Sequence, residues 1–185
     1  METKRLFLVS SRCGTAAGFL WLWLFSYGAF AADLDVSTNK SLSPGEYTYG
    51  TVTVRSGATL TLEGDSGTNM GVTIHATTLT VEAGGAISAN GQGHPEETGP
   101  GAGSRFPGSS GGGYGGRGGD VRETPGGDYY GSALNPVDLG SGGGHGVVVG
   151  IGGAGGGAVT LDVSGTLTLN GAISANGETN TAGGG

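Results

Sequence analysis

The chain has 185 residues, 44 of them Gly, a formal net charge of −7 and one Cys. Such an acidic balance sets nucleic acid and anionic membrane surfaces aside as partners. A single Cys allows no internal disulfide, so stability must come from packing and backbone hydrogen bonds.

Lys4, Arg5 and Arg12 form a positive front, and an apolar core of about fifteen residues follows over 16–30. Ala29-Phe30-Ala31 has the small residues of a cleavage site, with the cut expected between Ala31 and Ala32. The pattern predicts a secretory signal over 1–31, membrane contact during export only, and a secreted or cell-surface location. An uncleaved anchor would need roughly twenty apolar residues, more than this core supplies. Cys13 leaves with the signal. The remaining 32–185 holds five Lys/Arg against fourteen Asp/Glu, a net charge near −9.

Residues 32–50 are expected to cap the N-terminal end, with Ser43-Pro44-Gly45 turning into the strand-like TYGTVTV. Asn39-Lys40-Ser41 is a glycosylation sequon, meaningful only in a eukaryotic secretory pathway.

Three copies of a unit of about twenty residues follow, at 52–71, 72–91 and 159–177. GAISANG is identical at 85–91 and 171–177, and Val-Thr opens each copy. Within a copy Val, Ile and Leu alternate with Thr, the two-residue period of a strand with one apolar face. Gly and Asn break each run after a few residues. The expected fold is all-β: a right-handed parallel β-helix of about three coils, two over 51–90 and the third over 158–177. Like residues would stack, with Val52 over Val72 over Val159, Val54 over Ile74 over Leu161, and Leu60 over Leu79 over Leu167. Asn90 and Asn176 precede Gly in equivalent corners, either as turn residues or as an inward Asn stack.

Between the second and third copies, 91–157 contains 27 Gly, too many for a core of its own. Two readings stay open: a flexible surface excursion, or a segment pinned along the flank by Phe106 and the tyrosines. Val147, Val148 and Val149 are a candidate strand on the return. Residues 178–185 look like the start of a second Gly-rich excursion, cut mid-repeat, as in a fragment of a longer protein.

Several motifs invite a chemical reading and fail it. The GxGxxG spacing over 150–155 lacks the helix a dinucleotide phosphate site requires. GGxGxD over 115–120 has Arg122 where the calcium nonapeptide needs a large apolar residue. His75, His94 and His145 lie far apart in sequence, and Asp162 is read as a lone strand acid opposite Arg55 and His75. No catalytic, cofactor or metal site is therefore expected. One surface feature recurs with the copies: Thr59 and Thr61, Thr78 and Thr80, Thr166 and Thr168, a Thr-x-Thr ladder facing outward. Thr suits any solvent-facing strand position, and a regular hydroxyl array also orders water or ice.

The repeats, the block GGGYGGRGGD and the run YGSALNPVDLGSGGG resemble the glycine-rich β-helix repeats of large secreted and cell-surface proteins. In architecture these are similar to adhesin and pectin-lyase-like solenoids. The resemblance implies a structural or adhesive extracellular role, with polysaccharide, wall or matrix components as candidate partners. Members that cleave polysaccharides cluster Asp, Lys or Arg on one strand face, whereas 32–185 has one Lys and no such cluster. Lyase or hydrolase activity would then reside in coils beyond residue 185.

Overall fold

The computed structural model describes residues 31–105, 108–146 and 150–179. Residues 1–30 of the expected signal with Cys13, the Phe106 pin, the Val147–Val149 strand and the tail from 180 lie outside the described residues.

The chain is all-β, with no helix among the described residues. Strands β1 (Leu34–Val36), β3 (Gly45–Val54), β5 (Val72–Val81) and β7 (Val159–Leu169) form one parallel sheet in that order. Strands β2 (Lys40–Leu42), β4 (Thr59–Leu62), β6 (Ala86–Ser88) and β8 (Ala172–Ser174) form a second. Each strand thus pairs in parallel with the strand two elements later, and the chain passes alternately between the sheets. Segment 32–50, expected as a cap, supplies β1, β2 and the first half of β3, and so forms ladders of its own.

Alternation decides which face is buried. Along β5 the buried residues are Val72, Ile74 and Ala76, then Leu79 and Val81. The phase of alternation changes at Thr77, where the β5–β7 register shifts between Ala76 and Thr78. The two apolar runs seen in the sequence are therefore one strand with a bend. Val52, Val54, Leu60, Leu62 and Ile87 complete a core between the sheets, each contributing about 1.5–3 kcal/mol by burial. At the far edge, β7 has a partner on one side only, and Leu167 and Leu169 stay 50% and 48% exposed.

The register corrects part of the predicted stacking. Val72 over Val159, Ile74 over Leu161 and Leu79 over Leu167 are paired as expected. The first copy is not: Val52 and Val54 pair with Leu79 and Val81, while Leu60 pairs with Ile87 in the other sheet. The reason lies in the corners. Gly57 and Gly84 both adopt positive φ, 78° and 82°, and the Gly57 N–H donates to the Gly84 carbonyl at 3.0 Å. Stacking these left-handed corners forces VTVRSG onto LTVEAG, rather than VTV onto VTI.

Side chains extend the ladders where strands end. Asp33 Oδ1 accepts the Thr51 N–H, Asn39 Oδ1 that of Thr59, and Asn90 Oδ1 that of Asn176, at 2.7–2.9 Å. Asn90 is exposed, so the Asn corner is a side-chain-to-backbone link and not an inward stack.

The Gly-rich insertion is held by its own backbone. Three consecutive amides, of Gly142, Gly143 and Gly144, donate to three different segments: to Thr98, Gly153 and Ser110 carbonyls at 2.8–3.0 Å. A β-strand amide ladder reaches two neighbours at most. These three successive donors therefore do not belong to a strand ladder. Only Gly permits such packing, because a Cβ on Gly127 would lie inside contact distance of the Gly101 carbonyl, and one on Gly126 inside that of Gly118. The expectation that so much Gly precludes an interior is overturned: backbone fills it, together with buried Leu139, Ser110, Thr124, Ser141 and His94.

Candidate functional site

The outward face of the β3–β5–β7 sheet gathers threonines in register. Thr51, Thr78 and Thr166 form one column; Thr53, Thr80 and Thr168 form the next. Parallel pairing sets about 4.8 Å between rungs, and the strand repeat sets about 6.6 Å between columns. Thr59 and Thr61, expected as the first rung, lie in the other sheet, where they pair with Ala86 and Ser88. The first rung is Thr51 and Thr53. Aligning copies on their Gly corners, TVTVRSG with TLTVEAG and TLTLNG, would have found it in the sequence.

The columns continue toward β1, where Asp35 pairs with Thr53. Asp35 begins a charged border. Arg55 forks onto it through Nε and Nη2 at 2.9 and 3.0 Å, and reaches Glu82 Oε1 through Nη1 at 2.9 Å. The Arg55 hydrogen bond holds the Asp35 carboxyl below its ordinary range. The Ser56 N–H, then Arg55, do the same for Glu82. On the other side of the bend stand Glu46, Thr73 and Thr160, and Thr48, His75 and Asp162. His75 Nδ1 lies 3.1 Å from Asp162 Oδ2, on the surface. His75 was expected to align with both Arg55 and Asp162; it pairs with Thr48 and Asp162, and Arg55 lies past the end of β3. Nor is Asp162 the only strand acid, since Asp35 and Glu46 also lie within strands.

His94 and His145 are not brought to this face. His145 Nδ1 meets Glu96 Oε2 at 2.9 Å, and the same oxygen accepts the Gly152 N–H. His94 Nε2 meets Asn69 Oδ1 at 2.9 Å; Asn69 also donates to Asp138 Oδ1 and accepts from the Leu139 N–H. This hub, which ties the β4–β5 loop to the insertion, carries no sequence signature: its members are single residues far apart along the chain. Among the described residues no cluster of three or more His, Cys, Asp or Glu is placed to hold a metal ion, and no helix is long and apolar enough to cross a membrane.

The Thr face presents paired hydroxyl donors and acceptors on a rigid lattice, bounded by ion pairs. Comparison with protein families, with curated proteins and with solved structures gives no match.

Proposed function

We propose that the chain is a secreted structural or adhesive module of the cell surface or extracellular matrix, built as a right-handed parallel β-helix. Its flat Thr face meets polysaccharide or wall polymers. The observation that carries this reading is the in-register Thr-x-Thr pairing over β3, β5 and β7. A hydroxyl lattice fixed by backbone ladders loses little entropy on meeting a regular polymer surface. The signal-like N-terminus and the acidic balance also support an extracellular place.

Fractionation of expressing cells, followed by binding to insoluble polysaccharide, tests this. The expected outcome is surface-retained or secreted protein that sediments with the polymer, with Thr78→Lys reducing retention severalfold. Retention inside the cell, or turnover of glycan by this chain alone, would contradict it.

The same columns favour a second reading, ice binding, since repeated hydroxyls on a flat face can order water. Thr51→Lys, Thr78→Lys and Thr166→Lys together should abolish thermal hysteresis. A wild-type chain without hysteresis ends this reading.

A further inference from the structure

Where the insertion folds against the β7–β8 end, it leaves a cleft of about 350 Å³, a size suited to a small ligand. Tyr114, Pro136 and Asp138 line it, and glycines with the short side chains of Ser141, Ala158, Val159 and Ala175 make up the remaining wall. Two of these groups are fixed from behind. Asp138 Oδ1 accepts the Asn69 Nδ2–H at 2.9 Å, and the Asp138 N–H donates to the Tyr114 hydroxyl at 3.4 Å. The Tyr114 ring packs edge-on to Tyr130 at 5.1 Å. Tyr130 is held in turn, donating to the Leu139 carbonyl and accepting from Ser141 Oγ at 3.0 Å. Both the aromatic ring and the carboxylate are thus positioned before any ligand arrives.

We propose that this cleft is a binding subsite for one or two residues of a neutral glycan. A sugar presents an apolar C–H face, which suits the Tyr114 ring, and hydroxyl donors, which suit the Asp138 carboxylate. Glycines and the short side chains of Ser141, Ala158 and Ala175 leave room beside them for a sugar ring. Among the described residues no Lys or Arg lines the cleft, so Asp138 disfavours uronic acids and other anionic sugars. The inference deepens the extracellular reading and rests on it for the source of the glycan. It places the sugar-specific contact in the cleft, separate from the Thr face.

Titration of the full chain with cellobiose, maltose, mannobiose, chitobiose and digalacturonate, followed by amide NMR, tests the subsite. At least one neutral disaccharide should shift the Gly112, Gly113, Gly156 and Gly177 amides, while digalacturonate should not. Asp138→Asn keeps an oxygen for Asn69 and should weaken binding at least tenfold with the melting temperature unchanged. Tyr114→Phe keeps the ring and should retain most of the affinity. No shifts with any neutral sugar, shifts elsewhere in the chain, equal response to digalacturonate, or unchanged affinity in Asp138→Asn would each overturn the proposal. Intracellular retention, read by fractionation, would overturn the extracellular reading separately.

Discussion

At the residue scale, Asn69 and His94 are where the insertion and the sheets depend on each other. Asn69 adopts φ 57°, a left-handed conformation Asn tolerates better than most residues. Its amide serves Asp138, His94 and Leu139 at once. Asn69→Ala leaves several part-buried groups unpaired and should cost about 3 kcal/mol in urea unfolding. His94 is 6% exposed, and burial pushes its pKa below the ordinary 6.5. The unfolded chain therefore binds more protons than the folded one just below pH 6.5, and stability falls as pH falls through that window. Thermal melts should show a decline as pH falls below about 6.5 that His94→Gln removes. A second decline belongs below about pH 4.5, where Asp35, Asp65, Glu82 and Glu96, all held low by hydrogen bonds in the fold, take up protons more readily in the unfolded chain. None of this was legible in the sequence, because the hub joins residues that no local pattern links.

At the scale of elements, the strands were legible and one register was not. Alternating Val-Thr and Leu-Thr runs identify β3, β5 and β7 from the two-residue period alone. The Val-Thr openings drew the first copy one strand-half out of place, since β5 and β7 contain two apolar runs on either side of a bend and β3 matches only the second with VTV. Its first half, GEYTY, carries Tyr47 and Tyr49 in place of aliphatic residues, which hid the homology of position. The insertion failed for another reason: composition rules count side chains, and this segment packs backbone against backbone. Substitution separates the two accounts. Gly127→Ala drives a Cβ into the Gly101 carbonyl, whereas nothing lies within 4 Å of a Cβ on Gly119. Hydrogen exchange should show the insertion amides losing protection in Gly127→Ala, while Gly119→Ala stays within about 0.5 kcal/mol of the parent. Leu79→Ala, at a fully buried position paired with Val52 and Leu167, should cost about 2–5 kcal/mol.

At the scale of the whole molecule, two parallel sheets and a backbone-bonded Gly segment place Thr columns in register on one face. The extracellular module reading follows from that face, and the Thr columns are legible in the sequence once copies are aligned on their Gly corners. The cleft at Tyr114 and Asp138 was invisible there, since the insertion's fold creates it. Everything proposed for the face depends on the register of β3, β5 and β7. Paired cysteines in a Cys13→Ser background, treated with a short bifunctional thiol reagent, measure that register directly. Thr53→Cys with Thr80→Cys, and Thr80→Cys with Thr168→Cys, should cross-link rapidly within one chain. Thr59→Cys with Thr78→Cys should not. Cross-linking of the last pair in preference to the first two would contradict the stacked Thr face and the function built on it.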